Sequence, residues 1–496
     1  MGNRCRSCRA SGLASYVWRY GARMLALGCF ALLLVTAPSV CADTPKLAEK
    51  DGSTPKAPEK DPDHELIQLL LVQIEMLKAR VADLEAKQPG NPPASDSLPA
   101  SPIPPPNFTA TPVAPAAPTP EPAPRVVSKP GTPSPTPSAG LPSPEQDEGG
   151  HSMQIPGGPK LVIRGFLDFN LGFGSVANAL IYPLAVPPAT VHNTFQFGEF
   201  DLFLSSRLSD TVSFLSEVIY GSDQTNDWGL DIERAQLTYK PSPYFQISGG
   251  RMHTAIGFYN TTYHHGTWFQ TATGRPYMYY FEDSGGILPV HIVGAEAQGL
   301  IPGSGKLNAH WIAEVGNGES SLPFGSSLGN PVQNFLSDKN HKAFNVAGYF
   351  KPEWVHGLQI GVNYYRDRRV PEGIPHVDNT IAGAYLVYIT PTWEFLNEFQ
   401  VQRDHSLGSA ITYNTPLGYT QLSRKFGKYR PYLRWQEVNV PLNDPLYGVV
   451  GRYEGPSFGM RMDFTDFAAL KVQYNRVYTR DPLAKNGVDG QVAFTF

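Results

Sequence analysis

Sixteen short alternating segments follow residue 160, joined by connections whose lengths themselves alternate, and nothing else in the chain restricts its fold as tightly. "LVIRGFLDFNLGF" sets Leu161, Ile163, Leu167 and Phe169 on one face and Arg164, Asp168 and Asn170 on the other. "YRPYLRWQEV" alternates Leu433 and Trp435 with Arg430, Arg434 and Gln436. "FGMRMDF" sets Phe458, Met460, Met462 and Phe464 against Arg461 and Asp463, and "ALKVQYNRVY" sets Leu470, Val472 and Tyr474 against Lys471, Gln473 and Asn475. Alternation with a period of two is the signature of strands with one apolar face. The pattern predicts strands at 160–173, 194–208, 211–221, 229–240, 244–252, 290–300, 306–316 and 342–350. It predicts eight more at 358–368, 379–390, 392–403, 417–425, 428–439, 453–464, 467–479 and 489–496.

A soluble sandwich would alternate too, so the connections decide. Even-numbered strands end in tight links such as "SD", "PSP" and "FG", whereas odd-numbered strands end in longer segments, up to the 37 residues from His253 to Pro289. Short turns at one rim and long loops at the other, with an even strand number, are the pattern of a transmembrane β-barrel. Most strands are long enough for a tilted crossing of the hydrocarbon layer. A closed barrel also satisfies every backbone polar group within the membrane. The expected fold is therefore all-β: a sixteen-stranded antiparallel transmembrane barrel over 159–496.

Upstream the texture changes. Five arginines (Arg4, Arg6, Arg9, Arg19 and Arg23) precede "MLALGCFALLLVTA" and then "PSVCAD", the order of a secretory signal over 1–42 with Val40 and Ala42 before the cut. Cys41 invites a lipid anchor, but the Val before it stands where a small residue is expected. All four cysteines otherwise leave with the signal, so the mature chain has no disulfide and no thiolate metal site. Without the five arginines, 35 basic residues remain against 44 acidic ones, a net charge of −9 that argues against nucleic acid as a partner. From 64 to 87, Ile67, Leu70, Ile74, Leu77, Val81 and Leu84 follow a heptad pattern, predicting a short self-associating coiled coil. Residues 88–158 hold a dense run of Pro, a spacer that cannot bury a core.

The chain ends "GQVAFTF", with Val492, Phe494 and Phe496 on one face. With the strand number and rim asymmetry, this last strand resembles the sixteen-stranded trimeric porins of Gram-negative outer membranes, over Lys160 to Phe496. The coiled coil ahead of the barrel resembles a subgroup related to phosphate-selective and dicarboxylate-type porins. The Pro-rich spacer departs from that pattern. The resemblance implies a water-filled channel for passive diffusion of small hydrophilic solutes, in a homotrimer surrounded by lipid, with the N-terminal region in the periplasm. It implies neither catalytic residues nor a cofactor. The alternative is a structural tether in which the coil and spacer reach the peptidoglycan cell wall.

Porins of this kind fold their third long loop into the lumen. Here that loop carries His253, Tyr263, His264, His265, Trp268, Arg275, Glu282 and Asp283. A loop of this length without its own fold is uncommon unless functional. The adjacent His264 and His265 admit three readings. Metal ligation needs a further ligand, and neighbouring side chains on an extended segment point apart. A catalytic dyad needs a nucleophile and an orienting acid, for which Thr267, Ser284 and Asp283 are present without an enzyme motif. The third reading is a constriction with a transverse field from Arg275, Glu282 and Asp283, beside the plain alternative that the aromatics only pack the loop on the wall. Arg164, Asp168, Arg430, Arg434, Arg461 and Lys471 are expected to line the pore, with the cluster of Arg430, Arg434 and Arg461 along one wall placed to act on passing anions; the acids on the same face carry no expectation of anion selectivity.

Overall fold

In this computed structural model the structure describes residues 151–154, 158–174, 193–222, 228–263, 266–280, 286–319, 336–337, 339–370, 375–448, 450–480 and 482–496. The signal, the coiled coil and most of the Pro-rich segment lie outside the described residues. A short strand β1 (His151–Gln154) comes first. Eight strands follow: β2 (Lys160–Gly174), β3 (Thr194–Arg207), β4 (Val212–Ser222), β5 (Trp228–Ser242), β6 (Phe245–His253), β7 (His291–Leu300), β8 (Ala309–Gly316) and β9 (Ala343–Phe350). The second eight are β10 (Leu358–Arg369), β11 (Val377–Ile389), β12 (Trp393–Ser406), β13 (Thr412–Arg424), β14 (Tyr429–Asn439), β15 (Arg452–Asp463), β16 (Ala468–Val477) and β17 (Lys485–Thr495). From β2 onward each strand pairs antiparallel with the next, and β17 pairs back onto β2, which closes a ring of sixteen.

The closing seam is held to its last residue. Phe496 and Gly165 exchange both backbone hydrogen bonds, at 2.9 and 3.0 Å, and the Phe496 ring stacks on Phe200 at 6.0 Å. Below that point β17 has run out, and β1 takes up the edge of β2 from Lys160 to Ile163. The stretch 151–154 was expected to belong to the spacer. It is a strand instead, because it contains no Pro and meets an edge with unpaired backbone groups.

All sixteen expected strands are present, and the departures are at their ends. β8 starts at Ala309 rather than 306, because Gly305–Leu307 makes a 3-10 turn that ends with Asn308 at φ 50°. β13 starts at Thr412 rather than 417, five residues earlier through "TYNTP". The β14 partner reaches β13 only from Leu417, so Pro416 sits where the strand has a neighbour on one side alone, the setting in which Pro is tolerated. The tight rim also matches: at the turn between β13 and β14, Gly427 takes φ 59°, a conformation that costs glycine nothing.

Alternation sorts the side chains into two faces. On β16, Val472 and Tyr474 are exposed outward while Lys471, Gln473 and Asn475 are buried on the other side. On β10, Val362 and Tyr364 point outward and Asn363, Tyr365 and Asp367 are buried. The outward face is thus an apolar belt and the inward face is polar, the reverse of a soluble protein. One irregularity bears on the interior. The β4–β5 register slips at Glu233, an extra residue that keeps Arg234 opposite Glu217, where the two form a 2.6 Å ion pair.

Candidate functional site

The long connection between β6 and β7 returns to the ring and bonds to its inner face along the arc from β8 to β16. Its first arm offers backbone N–H groups, and acids and amides receive them. Ala255 donates to both carboxylate oxygens of Glu314 on β8, at 2.9 and 3.1 Å. Gly257 donates to Asn363 on β10 at 3.2 Å. Phe258 and Tyr259 donate to the two oxygens of Glu398 on β12, at 2.6 and 2.9 Å. The second arm offers carbonyls, and cations receive them. Lys471 on β16 donates to Thr267 at 2.5 Å and Ala272 at 3.2 Å. Arg461 on β15 donates to Trp268 and Gln270, at 2.5 and 2.9 Å, and Arg434 on β14 to Gly274 at 2.6 Å. Every one of these wall residues belongs to the polar face. In a closed ring a segment that meets that face on β8, β10, β12, β14, β15 and β16 lies inside the barrel.

Local chemistry explains why the segment takes this shape. It is too polar at its backbone to be buried without partners, and the wall supplies them. Asn260 ties the two ends together by donating to Thr254 and Val290 carbonyls, both at 2.8 Å. Gly257 holds φ 73°, and a Cβ there would come within 1.7 Å of the Tyr279 hydroxyl and 2.3 Å of Glu398. The aromatics form the filling. Tyr259 stacks on Tyr279 at 5.6 Å and 9°, with Tyr419 edge-on to both. Tyr279 and Tyr419 also donate their hydroxyls to Glu398, at 2.7 and 2.6 Å, so this buried carboxylate accepts from two amides and two phenols. Burial pushes the phenols of Tyr259, Tyr263, Tyr277, Tyr279 and Tyr280 well above their ordinary range.

Of the site residues expected from sequence, His264, His265, Glu282 and Asp283 lie outside the described residues. His253 is the last residue of β6 and is buried 3.7 Å from Glu217. It faces His291 across the strand pair, ring to ring at 5.7 Å, and His291 stands 2.6 Å from Glu233. This histidine pair at the foot of the connection was not singled out in the sequence, because its members are 38 positions apart and only the strand register joins them. Tyr263 and Arg275 are buried, and Trp268 packs edge-on against Phe269 with Arg461 over its ring. Asp168 accepts from Asn170 at 2.5 Å and from the Glu199 amide at 3.2 Å; Arg164 is half-buried. Arg430 sits at the tight-turn rim, donating to Ser423 and the Pro391 carbonyl. Arg434, Arg461 and Lys471 thus bond to the connection's own carbonyls. Among the described residues no three His, Cys, Asp or Glu stand close enough together to hold a metal ion.

Beneath the first arm a cavity of about 90 Å³ remains between the connection and the wall, lined among others by Arg234, Glu296, Gln298, Lys351, Gln359 and Tyr385.

A closed ring of sixteen strands, polar inside, apolar outside, with tight turns at one rim and long connections at the other, is a porin-like barrel. No family model matches the chain, and no curated protein matches it. Among solved structures it is similar to the outer membrane channel DcaP of Acinetobacter baumannii, at 11% identity and TM-score 0.49, covering 69% of this chain and 99% of that one. It is similar to Salmonella typhi OmpF in complex with daunomycin, at 10% identity and TM-score 0.47, covering 70% and 100%. It is also similar to the anion-selective porin from Comamonas acidovorans, at 10% identity and TM-score 0.46, covering 68% and 100%.

Proposed function

We propose that this protein is an outer-membrane porin, a channel for passive diffusion of small hydrophilic solutes that is narrowed by the connection between β6 and β7. One observation carries the reading: the connection is fastened across the interior of a sixteen-strand ring by Glu314 on β8 and Lys471 on β16, eight strands apart and so on opposite walls. Sixteen strands enclose a lumen too wide for side chains alone to fill, and the apolar outer belt suits a lipid surround. Catalysis has no part in the reading. In this reading the fixed bonds make the connection a seated constriction, and the solute passes where the bonds leave room. The proposal includes a homotrimer, with the N-terminal region in the periplasm.

Deleting residues 261–272 and recording single-channel conductance in planar bilayers tests the constriction. Conductance and ion selectivity should both change. If neither does, the constriction is elsewhere. Removing residues 43–150 separates a channel, which still conducts, from a tether, which loses its attachment to the cell wall.

A further inference from the structure

A second connection also folds against the ring, and what fastens it is a contact that two ordinary carboxylates could not make. Residues 440–451, between β14 and β15, bury Val440, Leu446, Tyr447 and Val450 in the same apolar cluster as Tyr277 and Tyr280 of the inward connection. Asp444 organises this turn. Its Oδ1 accepts from the Leu446 and Tyr447 amides, at 2.9 and 3.0 Å. Its Oδ2 is buried and meets no N–H or hydroxyl donor; the group it faces is the carboxyl of Asp404 on β12. Asp404 is itself an acceptor twice over, from Asn379 at 2.6 Å and from Gln402 at 3.1 Å. Two acceptors in contact need a proton between them.

We propose that Asp404 and Asp444 share a proton, and that this proton latches the 440–451 connection over the long-loop rim. The charged groups around the pair leave it no other means of closing. Arg369 of β10 is spoken for by Glu319 at 3.0 Å and by the Tyr447 hydroxyl at 2.7 Å, and that hydroxyl donates to Glu319 at 2.7 Å. Lys339 pairs with Asp367 at 2.6 Å. Arg480 donates to the Val440 carbonyl at the foot of the connection. Arg369, the cation that acts on Asp444, therefore already faces Glu319, and a second negative charge on the pair would be poorly compensated in a buried place. The proton belongs on Asp444 Oδ2, the oxygen without a donor, where it donates to Asp404. Burial pushes the Asp444 carboxyl above the usual aspartate value. The latch is therefore complete below that raised value and is lost as pH climbs through it. Release would uncover the rim side of the inward connection; that this opens a passage rests on the channel reading above.

Amide hydrogen exchange of the full chain, corrected for intrinsic rates, tests the latch between about pH 5 and about pH 9. In the wild type, protection of the Leu446 and Tyr447 amides should fall by at least about tenfold over that window, the equivalent of one titrating unit. In Asp444→Asn the side-chain amide donates to Asp404 at every pH and Oδ1 still accepts, so protection should stay high throughout. Wild-type protection that ignores pH, or an Asp444→Asn chain that follows the wild type, overturns the proposal. Conductance recorded on the same samples keeps the two readings apart: protection that falls as expected in a barrel that conducts at no pH upholds the latch and sinks the channel.

Discussion

Replacing Glu398 with Gln is the sharpest probe of how the inward connection is held. Each carboxylate oxygen serves one amide and one phenol: Oε2 takes Phe258 N and Tyr279 Oη, and Oε1 takes Tyr259 N and Tyr419 Oη. Glutamine keeps one acceptor oxygen and turns the other into an NH₂ donor. The phenol on that side can rotate and accept from the new amide, but the backbone N–H cannot. One buried N–H is then left facing another donor, at a cost of about 1–3 kcal/mol. The remaining bonds lose their charge assistance, about 1 kcal/mol more. The arm should therefore open more readily by about 3 kcal/mol, roughly a hundredfold in its opening equilibrium. The strand ladder through Tyr385, Glu398 and Tyr419 uses backbone groups and is untouched, so the barrel itself should persist. Hydrogen exchange at Phe258 and Tyr259 reads the opening directly, and unchanged protection at both amides would refute the idea that this carboxylate seats the arm.

The two arms should respond separately. Lys471→Met removes the donor to Thr267, Ala272 and Gln491, leaving two backbone carbonyls short of a partner, and the second arm should gain exchange while 255–259 keeps its protection; equal loosening of both arms would show that they are one unit. Alkali offers a third measurement. The connection's phenols ionise above their ordinary value of about 10 because burial opposes the charged form, so the seated state loses stability as pH rises from there toward the raised values. Spectrophotometric titration should find a tyrosine class that ionises only when the connection unseats; a single class titrating normally contradicts the packing.

The ring was legible from the chain because its two signals are local. Period-two alternation marks each strand, and short or long connections mark each rim, so strand number and order need no tertiary information. What was not legible depends on register. His253 and His291, Glu296 and Glu314, and Arg430 and Arg461 become neighbours only once two strands are aligned. The charges of the inner face were visible, but their tasks were not. Arg434, Arg461 and Lys471 read as groups awaiting solute, and nothing in their spacing announces that carbonyls of a segment far away in sequence will occupy them. The early start of β13 was hidden for another reason: "TYNTP" has turn composition, and only the pairing with β12 makes it a strand.

The arrangement of partners around the inward connection has a mechanical meaning as well. Tyr259 bonds Glu398 139 positions away, and Lys471 bonds Thr267 across 204. Such contacts cannot form until the strands that carry them stand in place, so the segment is seated after the ring is drawn together. Once seated, it joins β8 to β16, eight strands apart in the ring, from within, as a spoke joins opposite parts of a rim. A ring without a spoke can flatten into an oval with little change in its hydrogen bonds. This one must first break bonds on one side of the spoke, so the segment braces the ring against flattening.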